Sequence, residues 1–195
     1  MKANKIIAAS MTLCMLASFT GCSLFVTKID VDSLDKIDED EWIDALEEIG
    51  LTESDYYAYE NDYFTFDDGT RFDIVYEVDA ESAHSVYYYS RFASTEEAEA
   101  LYEYYEELYY NVFHSIGGTF SGTKGIDSDN DSGYIVLNGD FEEDKNNYCP
   151  YYDILIWKDD VVIMAYLTNI SSTEDVASAK AEIDEFLDAL GYPKP

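Results

Sequence analysis

Between Tyr151 and Ile170 the chain reads YYDILIWKDDVVIMAYLTNI. Two apolar runs flank Lys158–Asp160, and neither alternates cleanly between apolar and polar positions. A strand with one wet face alternates with period two, whereas one that is apolar on both faces belongs in the interior of a sheet. This segment therefore predicts a hairpin at the centre of a sheet, with the remaining elements placed around it.

The flanking sequence supplies those elements. Asp38 to Ile49 predicts a first helix: Trp42, Ala45, Leu46 and Ile49 share a face, acids cover the other, and Gly50 stops it. YFTFDDGTRFDIVYEVD predicts a hairpin that turns at Asp68-Gly69. After the turn, Phe72, Ile74, Tyr76 and Val78 alternate with polar residues and are expected to bury one face. His84 to Phe92 predicts a third strand. Ser94 and Glu97 fit a capping box, and an apolar stripe from Ala98 to Ile116 predicts a long helix ended by Gly117-Gly118. Tyr134 to Phe141 predicts another strand. After the central hairpin, SSTEDVASAKAEIDEFLDALG predicts a last helix with Val176, Ile183, Phe186, Leu187 and Leu190 inward.

FASTEEAEA and ISSTEDVAS stand at the same place in the two halves, each where strands give way to a helix. They raise the alternatives of a duplicated β-β-β-α unit and of a capping signal that simply recurs. In either case the expectation is an α+β fold: an antiparallel sheet of about six strands with helices mainly on one face, preceded by an N-terminal helix.

Composition bounds the partners. Forty-two Asp and Glu face 11 Lys and Arg, a net charge of −31. Such a surface repels nucleic-acid phosphates and anionic lipid headgroups and attracts cations, basic proteins and basic peptides. Nineteen tyrosines separate the chain from disordered acidic tails, which lack aromatic residues.

The first residues set an address. Met1 to Lys5 is short and positive, and Ile6 to Phe19 carries no charge. An apolar run of that length fits a secretion signal and is too short to span a membrane, which takes about 20 residues. The run closes on Phe19-Thr20-Gly21-Cys22, which resembles the lipobox of bacterial lipoprotein precursors. The resemblance covers residues 1–23 only, and Phe19 stands where that family favours leucine. It implies cleavage after Gly21 and a diacylglyceryl group on Cys22, and two acyl chains hold a protein stably at a membrane. The expected organisation is a signal peptide over 1–21, an anchor and short tether over 22–36, and a single acidic domain over 37–195 on the extracytoplasmic face of a bacterial membrane. Removal of Lys2 and Lys5 leaves nine basic residues against 42 acidic ones, a net −33. Cys14 leaves with the signal and Cys22 carries lipid, so Cys149 has no intramolecular disulfide partner and is expected to be buried and inert.

Motifs for chemistry are sparse. His84 and His114 are the only histidines, with no serine or cysteine motif beside them, and no zinc-ligand cluster is evident. Neither GxxxxGK[ST] nor GxGxxG occurs. A carboxylate pair could still support hydrolysis, as in glycosidases. The favoured expectation is a binding module for an envelope protein, a peptide or a glycan, with a surface hydrolase or a purely structural component as alternatives. Exposed aromatic rings suit such partners. The sheet face without helices is where they are expected, around Tyr87, Tyr89 and Arg91.

No resident cofactor is expected. One loop, GIDSDNDSGYIVLNGD, places Asp127, Asp129 and Asp131 at alternate positions, as calcium loops do. Gly133 comes one position late for an EF-hand and Asn138 stands where a bidentate Glu belongs, so an acidic turn is the favoured account. Millimolar calcium is accordingly expected to leave the melting temperature unchanged. A rise that Asp129→Ala abolishes would instead establish a calcium site.

Overall fold

The computed structural model describes residues 25–26, 29, 31, 34–66, 69–116, 119–126, 132–144 and 147–195, with the backbone alone at 25–26, 110–116, 119–126, 140–144 and 147–149. Three helices, α1 (Glu39–Glu48), α2 (Thr95–Ile116) and α3 (Thr173–Ala189), pack on one sheet. Its strands are β1 (Phe25–Val26), β2 (Tyr56–Thr65), β3 (Arg71–Glu81), β4 (Ser85–Arg91), β5 (Thr119–Ile126), β6 (Ser132–Asp144), β7 (Asn147–Lys158) and β8 (Val161–Leu167). Their order is β1-β5-β6-β7-β8-β4-β3-β2. The two-residue β1 runs parallel to β5, and every other neighbouring pair is antiparallel. The α+β class, the antiparallel sheet and the N-terminal helix are as the sequence predicts. Six strands are those read from the sequence, and β1 and β5 extend the sheet at one side.

The central hairpin holds its predicted place. β7 and β8 lie between β6 and β4, with a turn that carries Asp159 at φ 52° and is fastened by the Trp157 indole donating to the Asp159 carbonyl at 2.8 Å. Residues of both parities are buried here because both faces are covered. Ile154, Ile156, Val161, Ile163 and Ala165 meet α1 and α3 on one face, hereafter the first. Leu155, Trp157, Val162 and Met164 meet α2 on the second.

Connectivity explains why α2 goes to the second face. The meander β2-β3-β4 ends in mid-sheet, and the chain must reach β5 on the far side. The α2 helix makes that crossing over β6, β7 and β8, and the meander β5-β6-β7-β8 then returns to pair β8 with β4. The sequence β-β-β-α thus occurs twice, with β4 beside β8. Its helices nevertheless lie on opposite faces, so no single rotation superposes the two halves. On the second face the Tyr102 ring lies directly over Gly133: a Cβ built there would stand 2.5 Å from the Tyr102 ring.

One expectation about β3 fails. Phe72 and Ile74 pack with the second-face core, whereas Tyr76 and Val78 pack with the first. Register pairs Glu60 with Tyr76 and Asp62 with Ile74, leaving Asn61 opposite Val75. Asn61 adopts φ 55°, a left-handed conformation that Asn tolerates better than most residues. The alternation changes sides at that kink and leaves Val75 exposed.

Tyrosines fasten the helices to the first face. Tyr87 on β4 donates to Glu182 Oε1 on α3 at 2.7 Å, and Tyr152 on β7 donates to Asp184 Oδ1 at 2.6 Å. Tyr76 on β3 donates to Glu39 on α1. Tyr192 and Tyr134 donate to the main-chain carbonyls of Asp35 and Pro193 at 2.7 and 2.8 Å. Trp42 of α1 fills the space between, with ring centroids 6.0 Å from Tyr89 and 6.1 Å from Phe186. α1 opens on a capping box in which Glu41 N–H donates to Asp38 Oδ1 at 3.0 Å and Asp38 N–H to Glu41 Oε2 at 2.9 Å.

A phenol donating to a carboxylate forms a charge-assisted bond, stronger than one between neutral groups. Tyr87→Phe removes one such donor and nothing else from a fully buried ring. It is expected to lower stability by about 1–3 kcal/mol, seen as a lower urea midpoint at unchanged slope. An unchanged midpoint would show that the bond contributes nothing net.

Candidate functional site

The parity of β4 decides which tyrosines can meet a ligand. Tyr87 and Tyr89 point to the first face, where α3 and α1 bury them completely. Arg91 is half-buried beside Tyr76, its guanidinium carbon 5.8 Å from that ring's centre. The expected open face around Tyr87, Tyr89 and Arg91 is therefore covered. Tyrosines occupy both parities of VYYYSR, so the sequence could not tell which side the helices would take. Tyr88 and Ser90 point the other way, toward the half of the second face beyond α2.

That half-face is built from three rows across the sheet. Strand register sets Tyr59, Glu77 and Ser90 in one row, Tyr57, Asp79 and Tyr88 in the next, and Val86, Tyr166 and Asp153 in the third. Tyr105 and Tyr109 of α2 lean over from the side, with ring centres 5.9 Å apart. Tyr88 stacks on Tyr166 at 6.1 Å with 19° between the planes, and Phe64 meets Tyr88 edge-on at 6.4 Å. The result is a tyrosine-rich surface with Glu77, Asp79 and Asp153 set into it, an exposed Glu81 at the β3 end of the third row, and no basic residue in the three rows.

Burial governs the electrostatics. Glu77 is 7% exposed and accepts a hydrogen bond from Ser90 Oγ at 3.3 Å. Loss of hydration disfavours its charge and pushes its pKa up to about 7, more than the serine bond lowers it. Asp153, beside Tyr109 and Tyr166, is pushed up to about 7 by burial alone. Asp79 is raised as well, again first by burial, and its Oδ1 is buried without a hydrogen-bond partner among the described residues. Tyr105 rises to about 12 through burial, then the charges of Tyr88 and Glu77. Tyr59 is raised chiefly by the nearby charge of Asp79. Glu77 and Asp79 stand two residues apart on one face of a strand, about 7 Å along it.

Chemically, the arrangement offers electron-rich ring faces and carboxylates with little water around them. Both attract positive charge. A carboxyl poised near neutrality beside a second one also meets the first requirement of acid–base work.

Other candidates resolve more simply. His84 Nε2 stands 3.6 Å from Asp175 Oδ1, but Ser171 Oγ donates to Asp175 at 2.7 Å and not to the histidine. The order serine–histidine–acid that a hydrolytic triad needs is not formed. Bonds from Ser171 hold the Asp175 pKa down to about 2. Among the described residues no three His, Cys, Asp or Glu side chains are grouped so as to hold a metal ion, and no helix is long and apolar enough to cross a membrane. Cys22 and the proposed calcium ligands Asp127, Asp129 and Asp131 lie outside the described residues, as do the Cys149 and His114 side chains. The chain matches no family model, no curated protein and no solved structure.

Sequence reading missed Glu77 and Asp79 because 42 acids carry no mark of which few become buried. A signal was present in EVDAE, where every residue alternating with the buried Val78 and Ala80 is an acid, so the opposite face of the strand must carry carboxyl groups.

The pKa of Glu77 makes a pH prediction. Folding raises it above the unfolded value of 4.5, so the folded state holds the proton more tightly. The associated stability is complete below about pH 4.5 and is lost as pH rises through 7. Glu77→Gln is expected to remove on the order of 1–3 kcal/mol of the decline between pH 5 and pH 8, measured by urea unfolding of both proteins at each pH. Identical declines would place the effect elsewhere.

Proposed function

We propose that this protein is an exported lipoprotein, held to a bacterial membrane through a diacylglyceryl group on Cys22, whose acidic domain works by binding at the cell envelope. The observation that carries the binding reading is the second-face patch, where Tyr57, Tyr59, Tyr88 and Tyr105 surround Glu77 and Asp79. Tyr57 and Tyr59 are 63% and 40% exposed, so the rings are available to a partner. The partner class this favours is a positively charged group on an envelope protein, a peptide or a glycan. The net charge argues against nucleic acid as a partner. The lipid anchor rests on the first 23 residues and is argued from them alone.

A second reading has one specific support. Glu77, near neutrality, and Asp79, on the same strand face, form the kind of carboxylate pair from which a surface hydrolase acting on glycans can be built. In that case Glu77 is the acid and Asp79 the base or nucleophile.

Both readings meet in one set of experiments. Cys22→Ser is expected to move the protein from the membrane fraction to the soluble fraction. The soluble form is expected to retain a partner from envelope extracts or on a glycan array, and Tyr59→Ala to weaken that binding roughly tenfold, about 1.4 kcal/mol. Silence in both assays would overturn the binding reading. Release of reducing ends from an envelope glycan, lost in Glu77→Gln, would establish the hydrolase instead.

A further inference from the structure

β2 is the last strand of the sheet, and among the described residues no strand pairs its outer side. Which of its main-chain groups face outward follows from one bond. Glu81 N–H donates to the Asp55 carbonyl at 3.1 Å, and this pair continues the register that sets Tyr57 opposite Asp79 and Tyr59 opposite Glu77. Directly bonded pairs alternate along an antiparallel ladder. The Asp55 carbonyl and the N–H and C=O groups of Tyr57 and Tyr59 therefore turn to β3, the Asp55 N–H donating instead to the Thr52 carbonyl at 2.7 Å, and Tyr56, Ala58 and Glu60 turn their main-chain groups to the open edge.

Open edges are hazards that proteins guard with lysine, proline or a bulge. Tyr56 to Asn61 contains neither lysine nor proline. Only the Asn61 kink interrupts the edge, and it does so after Glu60, leaving the stretch before it extended. The side chains of this stretch are exposed from Tyr57 to Asn61. The charged residues on this stretch and directly opposite it on β3 are acids, Glu60, Glu77, Asp79 and Glu81; the nearest cations, Arg71 and Arg91, lie against Tyr63 and Tyr76 beyond its Asn61 end.

We infer that the Tyr56–Glu60 edge accepts an extended, basic peptide segment of an envelope protein as an added β-strand. Strand addition draws affinity from main-chain hydrogen bonds and specificity from the side chains alongside. Here three outward N–H and three outward C=O groups supply the bonds. Tyr57 and Tyr59 stand beside the added strand on the second face, where cationic side chains can lie over their rings. Charge decides the occupant. A second copy of this chain would bring the same acids to the same edge, and the repulsion disfavours pairing, whereas a basic segment is complementary. The inference rests on the proposed binding role at the envelope and shares Tyr57, Tyr59, Glu77 and Asp79 with the second-face patch; what it adds is the set of outward main-chain groups of β2, which the patch does not use.

The test titrates the full-length chain, in detergent micelles, with an eight-residue peptide alternating lysine with valine or threonine. Micromolar or tighter binding is expected, at least tenfold stronger than that of the same peptide N-methylated at every residue. Hydrogen exchange is expected to slow at the amides of Tyr56, Ala58 and Glu60 in the complex. Ala58→Pro removes an outward donor without touching the pairing to β3, and it is expected to weaken binding at least tenfold at an unchanged melting temperature. If that variant fails to fold, the methylated peptide and the exchange pattern still decide. Equal binding of the two peptides would reduce the effect to charge alone and overturn the inference. So would protection confined to other amides, or a dimer of the chain itself that occupies this edge.

Discussion

The bond from a tyrosine hydroxyl to a carboxylate is the interaction on which the first layer depends. With 42 acids and 11 bases, the chain cannot pair its helices to its sheet through ordinary ion pairs. It uses phenols instead. Tyr76, Tyr87 and Tyr152 each rise from a sheet position and end on an acid of α1 or α3. The ring fills the core as a phenylalanine would, and the hydroxyl gives the carboxylate a donor where the helix passes overhead. A tyrosine-rich composition and an acid-rich one are thus two sides of one packing solution.

The second layer follows a different rule. Its helix, α2, meets the sheet through Ala98, Leu101 and Tyr102 against Ile135, Leu155, Trp157 and Val162, an apolar and closely fitted contact. Tyr102 sits on Gly133 so closely that no side chain fits between them. Beyond the reach of that helix the same face becomes polar, with Glu77 and Asp79 set among tyrosines. Glu77 accepts from Ser90, and Asp79 Oδ1 has no hydrogen-bond partner among the described residues. The contrast between acids satisfied by tyrosine on one face and acids left under-satisfied on the other is the main reason to look for a partner on the second face.

Much of this was legible in the chain. Period and capping located α1, α2 and α3, and the missing alternation of Tyr151 to Ile170 placed β7 and β8 centrally. β5 was not legible, because TFSGTKGI carries glycine and small polar residues and is a strand by virtue of its pairing with β6 and β1. The first half of β2 escaped for a related reason: an exposed edge strand has no buried face to impose a period. The face change in β3 depends on the backbone of Asn61 across the ladder, which no local pattern in β3 records. The uncovered side of β4 was misplaced by a single residue of parity. In a strand that choice inverts every side chain, and three consecutive tyrosines offer no way to make it.

The pairing of β4 with β8 carries a consequence for the order of assembly. The strands made first, β2 to β4, find their inner neighbour only when the second-to-last element of the chain has been made. The α2 helix waits in part: Tyr104 and Tyr105 can meet Phe66 and Phe72 early, but β6, β7 and β8, which it covers, all follow it in sequence. Until Leu167 has emerged, the first half has an unpaired inner edge at β4 and an uncovered stripe on α2. Contacts of such long sequence separation slow folding. If the chain crosses a membrane from its N-terminus, as the proposed signal requires, almost all of it must pass before the sheet can close. A fold arranged in this way closes only once nearly the whole chain is available to it.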